Sequence, residues 1–273
     1  RHPGWRGWNS GRCGRGVVSA RPGTYQGQRD PAAVRASPSV AGMATRLRQV
    51  VLVAGDLDRV EAEIVDGLAV EACVHDLGVE RFGLRNVLFP IGDTLLEVVS
   101  PLEEVTAAGR HLDRRGGDGG YMVILQTDDM EGFRNRIDEM DVRVVLEARM
   151  PGIVGLHLHP RDVGGAILSV DETDDWNAWP WAGPDWQYHR RTDLVSGILA
   201  VVIQADDPAA MAGRWGEVLG RPADGTVVAL DGGEIRFVPV LDGRGEGLSG
   251  VELRAGRNAD LEVCGVRFAL RRG

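Results

Sequence analysis

Apolar and polar positions alternate along this chain in an order that repeats. From Arg46, LRQVVLVAG is a short apolar run rich in β-branched residues, the pattern of a buried strand, and Asp56 in the following turn can cap the helix-period stretch DRVEAEIVDGL. Three strand-like runs broken by Gly and Pro come next: VEACVHD, LRNVLFPIG and TLLEVVSP. The same order then returns as GYMVILQT, a helix MEGFRNRIDEM after Asp128, and the runs VRVVLEA, GLHLHP and GAILSVD. A unit of strand, helix and three strands, read twice, buries its apolar face against its twin. A third unit follows as SGILAVVIQ, a helix AAMAGRWGEVLG after Pro208, GTVVAL and GEIRFVPV. LSGVELRAG and CGVRFALRR supply strands of a fourth that has no room for a helix. The pattern predicts an α+β chain of repeated βαβββ modules forming cupped mixed sheets, with two halves in one chain.

The domain plan follows from the same pattern. Residues 1–42 are rich in Gly, Arg, Pro and Ser without apolar periodicity, and are expected to be a disordered extension upstream of a natural start at Met43. Modules at 45–101 and 119–171 make a first domain over 45–171. A linker over 172–194 joins it to a second, more worn half over 195–273. That linker holds Trp176, Trp179, Trp181 and Trp186 beside Pro180 and Pro184. Its Pro content excludes a regular helix, and its indoles are costly to leave in water, so it is expected to pack across the body rather than act as a ligand lid.

Charge narrows the partners. Net charge is -9; residues 1–42 hold seven Arg against one Asp, so the remainder carries about -9 - 6 = -15, which argues against a nucleic-acid surface. Cys13, Cys73 and Cys264 have no metal-type spacing and point to a reducing compartment. No apolar run nears the roughly 18 residues of a membrane span. A cytoplasmic, bacterial protein with a small-molecule ligand is expected, with no nucleic-acid or membrane partner, and a homodimer is allowed.

The segments LRQVVLVAGDLD, GDTLLEVVSP, RRGGDGGYMVILQTDD and LHLHPRDVGGAILSVDE, in that order and spacing, resemble the vicinal oxygen chelate superfamily. This is the glyoxalase and bleomycin-resistance fold, and the motifs are nearest to those of methylmalonyl-CoA epimerase-like members. The resemblance covers 45–171 and, more weakly, 195–271. It implies a cupped sheet with the site in the cup, and metal ligands at four corners that map to Gln49, Glu97, Tyr121 and Ser169. Only Glu97 is a strong ligand for a divalent ion, and three neutral donors around one carboxylate make a poor cage. Where the epimerases carry a Glu-Gln-Gly-Val segment with the proton-abstracting base, this chain has Arg81-Phe82-Gly83-Leu84, and an arginine is no base near neutral pH.

The expected site is therefore a cup without a cofactor, in which Glu97 and Tyr121 carry the chemistry. Gln49, Asn86, His157, His159, Ser169 and Arg115 are the expected ligand-binding groups. A Glu in a partly apolar cup has a raised pKa and serves as a general acid or base. The bland alternative pairs Glu97 with Arg110, Arg114 or Arg115. The functional expectation is a metal-independent lyase or isomerase acting on a small, anionic organic molecule. Two alternatives stand beside it: a non-catalytic sequestering protein, and a divalent-metal enzyme that joins Glu97 to His157 and His159, which period-two alternation puts on one face.

Overall fold

The structure, a computed structural model, describes residues 44–103 and 105–273. The expected extension over 1–42 lies outside the described residues. The first module runs β1 (Thr45–Val53), α1 (Leu57–Leu68), β2 (Val74–His75), β3 (Leu84–Ile91) and β4 (Thr94–Pro101). After α2 (Ala107–Arg115), the second runs β5 (Gly119–Thr127), α3 (Met130–Glu139), β6 (Val144–Met150), β7 (Ile153–Leu158), a short α4 (Pro160–Val163) and β8 (Ile167–Thr173). The third comprises β9 (Val195–Ala205), α5 (Pro208–Leu219), β10 (Ala223–Asp224), β11 (Val227–Leu230) and β12 (Gly233–Pro239). The fourth is β13 (Gly247–Ala255), β14 (Ala259–Val263) and β15 (Val266–Arg272), without a helix.

The repeat has a local cause. Each module that has a helix starts it straight after the first strand with an aspartate N-cap: Asp56 accepts from Arg59 N at 3.1 Å, Asp129 from Gly132 N at 2.8 Å and Asp207 from Ala210 N at 3.0 Å. The cap of α3 is Asp129, the residue next to Asp128 and directly before the helix. Each module's last strand then returns parallel to its first, as β4 to β1, β8 to β5, β12 to β9 and β15 to β13. First strands of paired modules join antiparallel. The result is an eight-stranded sheet of order β2-β3-β4-β1-β5-β8-β7-β6 and a seven-stranded sheet of order β10-β11-β12-β9-β13-β15-β14. This is the α+β architecture of two module-pair halves that the pattern predicts.

Alternation decides which face of the first sheet holds what. Val50, Leu52, Leu96, Val98, Leu168 and Val170 point to a core shared with the helices and with Val201, Ile203, Leu248 and Phe268 of the second sheet. Burying one such side chain is worth about 1.5–3 kcal/mol. The two sheets meet closely here: a Cβ on Gly120 of β5 would lie 2.4 Å from the Leu248 carbonyl oxygen of β13. The residues between those positions, Gln49, Val51, Leu95, Glu97, Val99, Ser169 and Asp171, are left for the opposite, cupped face.

Three local expectations are corrected. VEACVHD forms only the two-residue strand β2. Between TLLEVVSP and GYMVILQT, where the repeated order has no helix, lies α2, which Thr106 caps through Gly109 N at 2.9 Å and Gly116 ends in the left-handed region at φ 72°. GLHLHP leaves the sheet at Leu158, so His159 no longer follows the strand's alternation.

The Trp-rich linker packs across the first sheet. Trp179 and Trp186 are buried, and the buried Arg48 guanidinium lies 5.1 Å from each ring. Arg48 also donates to the carbonyls of Asp93, Asn177 and Ala178. A bulge in the β1–β5 pairing between Leu47 and Gln49 frees Arg48 from strict alternation, so it and Gln49 both reach the linker. Burial, then neighbouring Arg46, lowers the Arg48 pKa to about 9, which still leaves it cationic at neutral pH.

Candidate functional site

The cup of the first sheet encloses about 680 Å³. Its lining is mostly apolar, with Gln49, Asn86, Glu97, Tyr121, His157 and Asp171 as the polar groups of its wall. The mouth is framed by the turn Leu77–Phe82 on one side and by Leu146, Ala148 and Arg149 of β6 on the other. A concave, apolar chamber with a few convergent polar groups is the usual form of a small-molecule site.

Glu97 sits on β4, where β1 and β3 flank it through Val51 and Leu88. Both carboxyl oxygens are held by amides: Asn86 Nδ2 donates to Oε1 at 2.6 Å and Gln49 Nε2 to Oε2 at 2.7 Å. Neither amide can turn around without losing a bond. The Gln49 oxygen accepts from Trp179 Nε1 at 2.6 Å, and the Asn86 oxygen accepts from Leu77 N at 3.1 Å. Burial raises the Glu97 pKa, while the Asn86 and Gln49 donors pull it part of the way back.

A second carboxyl faces the same cavity. Asp171 on β8 is buried; its Oδ1 accepts from Ser169 Oγ at 2.5 Å and its Oδ2 from Trp181 Nε1 at 2.7 Å. Room for it comes from Gly155 on β7, its register partner, where a Cβ would lie 2.6 Å from Oδ2. Burial pushes the Asp171 pKa up to about 7 against those two donors. His157 stays neutral near pH 7, because burial and then the Arg81 charge lower its pKa to about 4.

Of the residues expected from sequence, Gln49, Asn86, Glu97, Tyr121 and His157 come together in the cup. Ser169 lies under Asp171 and spends its hydroxyl proton on it. Ser169 is thus behind the wall rather than in the lining, and Arg115 and His159 lie away from the cup. Arg115 is turned to the second half, where Nη1 donates to the carbonyls of Arg244, Gly245 and Glu246. His159 caps α4, its Nδ1 accepting from Arg161 N at 3.1 Å. Tyr121 packs edge-on against His111, 5.0 Å between ring centres, and burial raises its pKa. His111 is partly buried and donates to the Gly120 carbonyl at 3.0 Å. Among the described residues no arginine bonds Glu97, which removes the bland pairing.

Sequence reasoning missed Asp171 and Trp181 in the lining of the cup, and Trp179 and Arg48 behind it. Period-two alternation carried one step beyond Ser169 reaches Asp171. The indole partners had no local signal, since they meet the cup across about 130 residues of chain in the case of Gln49 and Trp179.

The four corners at which the resemblance implies metal ligands do not suit a divalent ion. The Gln49 oxygen is engaged by Trp179, the Ser169 hydroxyl is buried and donates to Asp171, and the Tyr121 phenol is held more firmly protonated than usual. The alternative set fails as well, because His159 is outside the cup, and among the described residues no three His, Cys, Asp or Glu side chains converge. No helix among the described residues is long and apolar enough to cross a membrane.

No protein-family model matches the chain. Among curated proteins, the mitochondrial methylmalonyl-CoA epimerase of Bos taurus is 23% identical over 130 residues, covering 46% of this chain and 74% of that protein. A hypothetical protein from Staphylococcus aureus has a similar solved structure, with a TM-score of 0.64 at 12% identity, covering 84% of this chain and 100% of that one. Methylmalonyl-CoA epimerase from Mycobacterium tuberculosis aligns at 23% identity with a TM-score of 0.42, covering 47% of this chain and 88% of the other. The Staphylococcus likeness extends over both halves and concerns the fold alone.

Proposed function

We propose, from the premise of a vicinal oxygen chelate superfamily fold borne out by these comparisons, that the first-sheet cup binds a small organic molecule and that Glu97 is its acid/base group. The reaction class is a metal-independent isomerisation or lyase step that moves a proton at a carbon next to a carbonyl. One observation carries this reading: a buried carboxyl with a raised pKa, fixed at both oxygens by oriented amides, faces an apolar chamber large enough for a metabolite. The bovine relative is by name an epimerase, and an epimerase inverts a stereocentre. This chain has Arg81 where the resemblance implies that enzyme's base, so Glu97 takes the proton-transfer role from a different wall.

An acidic group on the ligand finds its counter-charge at the mouth. Arg81 is exposed there on a short turn with its guanidinium 4.7 Å from the Phe82 ring, and Arg149 stands on the facing strand. Asn86 and Gln49 hold Glu97 so that its remaining lone pairs serve the ligand.

Solvent-deuterium exchange into a panel of acyl thioesters and 2-substituted acids, followed by proton NMR, tests the proposal. Wild-type protein is expected to exchange one α-proton of a bound compound, and Glu97→Gln to slow this by about 10²–10⁴-fold while still binding it. Equal exchange in the variant removes Glu97 from the role. A compound bound stoichiometrically and recovered unexchanged identifies a sequestering protein instead.

A further inference from the structure

Elsewhere in this chain, carboxylates at or near the surface pair with arginine. Glu252 pairs with Arg236 at 2.7 Å, Asp162 with Arg143 at 2.6 Å and Glu147 with Arg134 at 2.8 Å. Glu97 and Asp171 of the cup differ from these in being buried. Among the described residues, neither Glu97 nor Asp171 has an ion-pair partner, although the sequence holds 31 basic side chains, every one an arginine. An unpaired buried carboxyl is expensive to keep, and two on opposite walls of one chamber point to use rather than accident.

Their surroundings say what is missing. Ser169 Oγ and Trp181 Nε1 both donate to Asp171, one to each oxygen, and donors favour the ionised, accepting form. Each oxygen keeps a further lone pair, and the absent side chain of Gly155 leaves the carboxyl its space. Among the described residues no arginine pairs with Asp171, although Arg149 lines the cavity from β6 on the same side of the sheet. His157 is neutral at physiological pH, and the arginines that line the cavity, Arg81 and Arg149, belong to its mouth. Glu97 is already held by two amides on the opposite wall and is assigned to proton transfer, which leaves Asp171 as the group whose partner must come from outside. Trp181 lines the chamber beside it, and an indole suits a bound cation.

We propose that the molecule taken up by the cup carries a protonated nitrogen, and that the Asp171 carboxylate is its counter-ion. The assignment rests on the reading that the cup binds a small organic molecule, and it adds the substrate class: an amine-bearing compound whose ammonium lies against Asp171 and whose acidic group, where it has one, lies at the Arg81 mouth. Trp181 and Ser169 are then positioning residues that aim the carboxylate.

The test uses three compounds of one shape: 3-phenylpropylamine, 3-phenylpropan-1-ol and 3-phenylpropanoate. Binding to the full-length protein at pH 7.5 is read by tryptophan fluorescence and calorimetry. The amine is expected to bind about tenfold or more tightly than the alcohol, as a buried ion pair does against a neutral contact. That advantage is expected to vanish in Asp171→Asn and to persist in Glu97→Gln. The wild-type preference is informative even where Asp171→Asn folds poorly. An alcohol or carboxylate that binds as well as the amine overturns the proposal, as does an amine preference that survives Asp171→Asn. Failure of all three compounds to bind tells against the cup itself as a ligand site, and alcohol binding without amine preference tells against the counter-ion alone.

Discussion

Trp179 Nε1 donates to Gln49 Oε1 at 2.6 Å, and that bond decides which end of the Gln49 amide faces Glu97. With the oxygen engaged by the indole, the NH2 group must point to the carboxyl. The linker thereby reaches the acid/base group through one side chain, and it reaches the second carboxyl directly through Trp181.

Replacing Trp179 by Phe keeps a ring and deletes the donor. Gln49 is then free to turn its oxygen toward Glu97, which disfavours the carboxylate. The Glu97 pKa is expected to rise further in Trp179→Phe, with a stability loss of about 1–3 kcal/mol from the orphaned acceptor and the smaller ring. Carbon-13 NMR titration of the glutamate carboxyls reads the first effect and urea denaturation the second. An unmoved Glu97 titration would show that the indole does not orient the amide.

Asp171 makes stability depend on pH in a direction opposite to that of most carboxylates. Its pKa in the folded protein, about 7, lies above the unfolded value, so the folded state holds the proton more tightly. The stabilisation from that proton is complete below about pH 4 and is lost as pH rises through 7. Wild type is expected to lose on the order of 3 kcal/mol relative to Asp171→Asn between pH 4 and pH 8, by chemical denaturation at each pH. A constant difference between the two proteins across that window would refute the burial argument.

Gly155→Ala puts a methyl group where Asp171 Oδ2 sits, 2.6 Å away. The carboxyl must move, and its bonds to Ser169 and Trp181 move with it. A loss of about 1–3 kcal/mol is expected, together with a changed Trp181 emission and a weakened amine preference of the cup. Retention of all three properties would mean that the wall has slack the geometry does not show.

Arg48→Met tests the anchor of the linker. The variant keeps most of the stem but removes the donors to Asp93, Asn177 and Ala178 and the cation beside Trp179 and Trp186. Limited proteolysis is expected to cut first within residues 174–190, with stability lower by about 2 kcal/mol or more. Unchanged cleavage would place the anchoring elsewhere.

The sequence by itself determined the modules, because their causes are local. Strand runs of alternating or continuous apolar residues, an Asp cap after the first strand of each module that has a helix, and Gly turns between strands all act over a few residues and recur at matching places. The family resemblance put Gln49 and Glu97 in the cup, while the period-two rule pairs His157 with His159 and, carried one step beyond Ser169, would have reached Asp171. That rule misplaced His159, because the strand ends one residue earlier, at Leu158. Arg115 escaped for a different reason: its acceptors, the carbonyls of residues 244–246, lie in the other half of the chain.

Only the tertiary structure decided what the cup residues do. Whether Gln49 offers an oxygen to a metal or an NH2 to Glu97 depends on an indole 130 residues away. Whether Ser169 is a ligand or a donor depends on a carboxyl that Gly155 on the next strand leaves room for. Side-chain direction along a strand is a property of the local backbone and is legible in order. The state of a buried polar group is set by the partners that replace its water, and those are brought together only by folding.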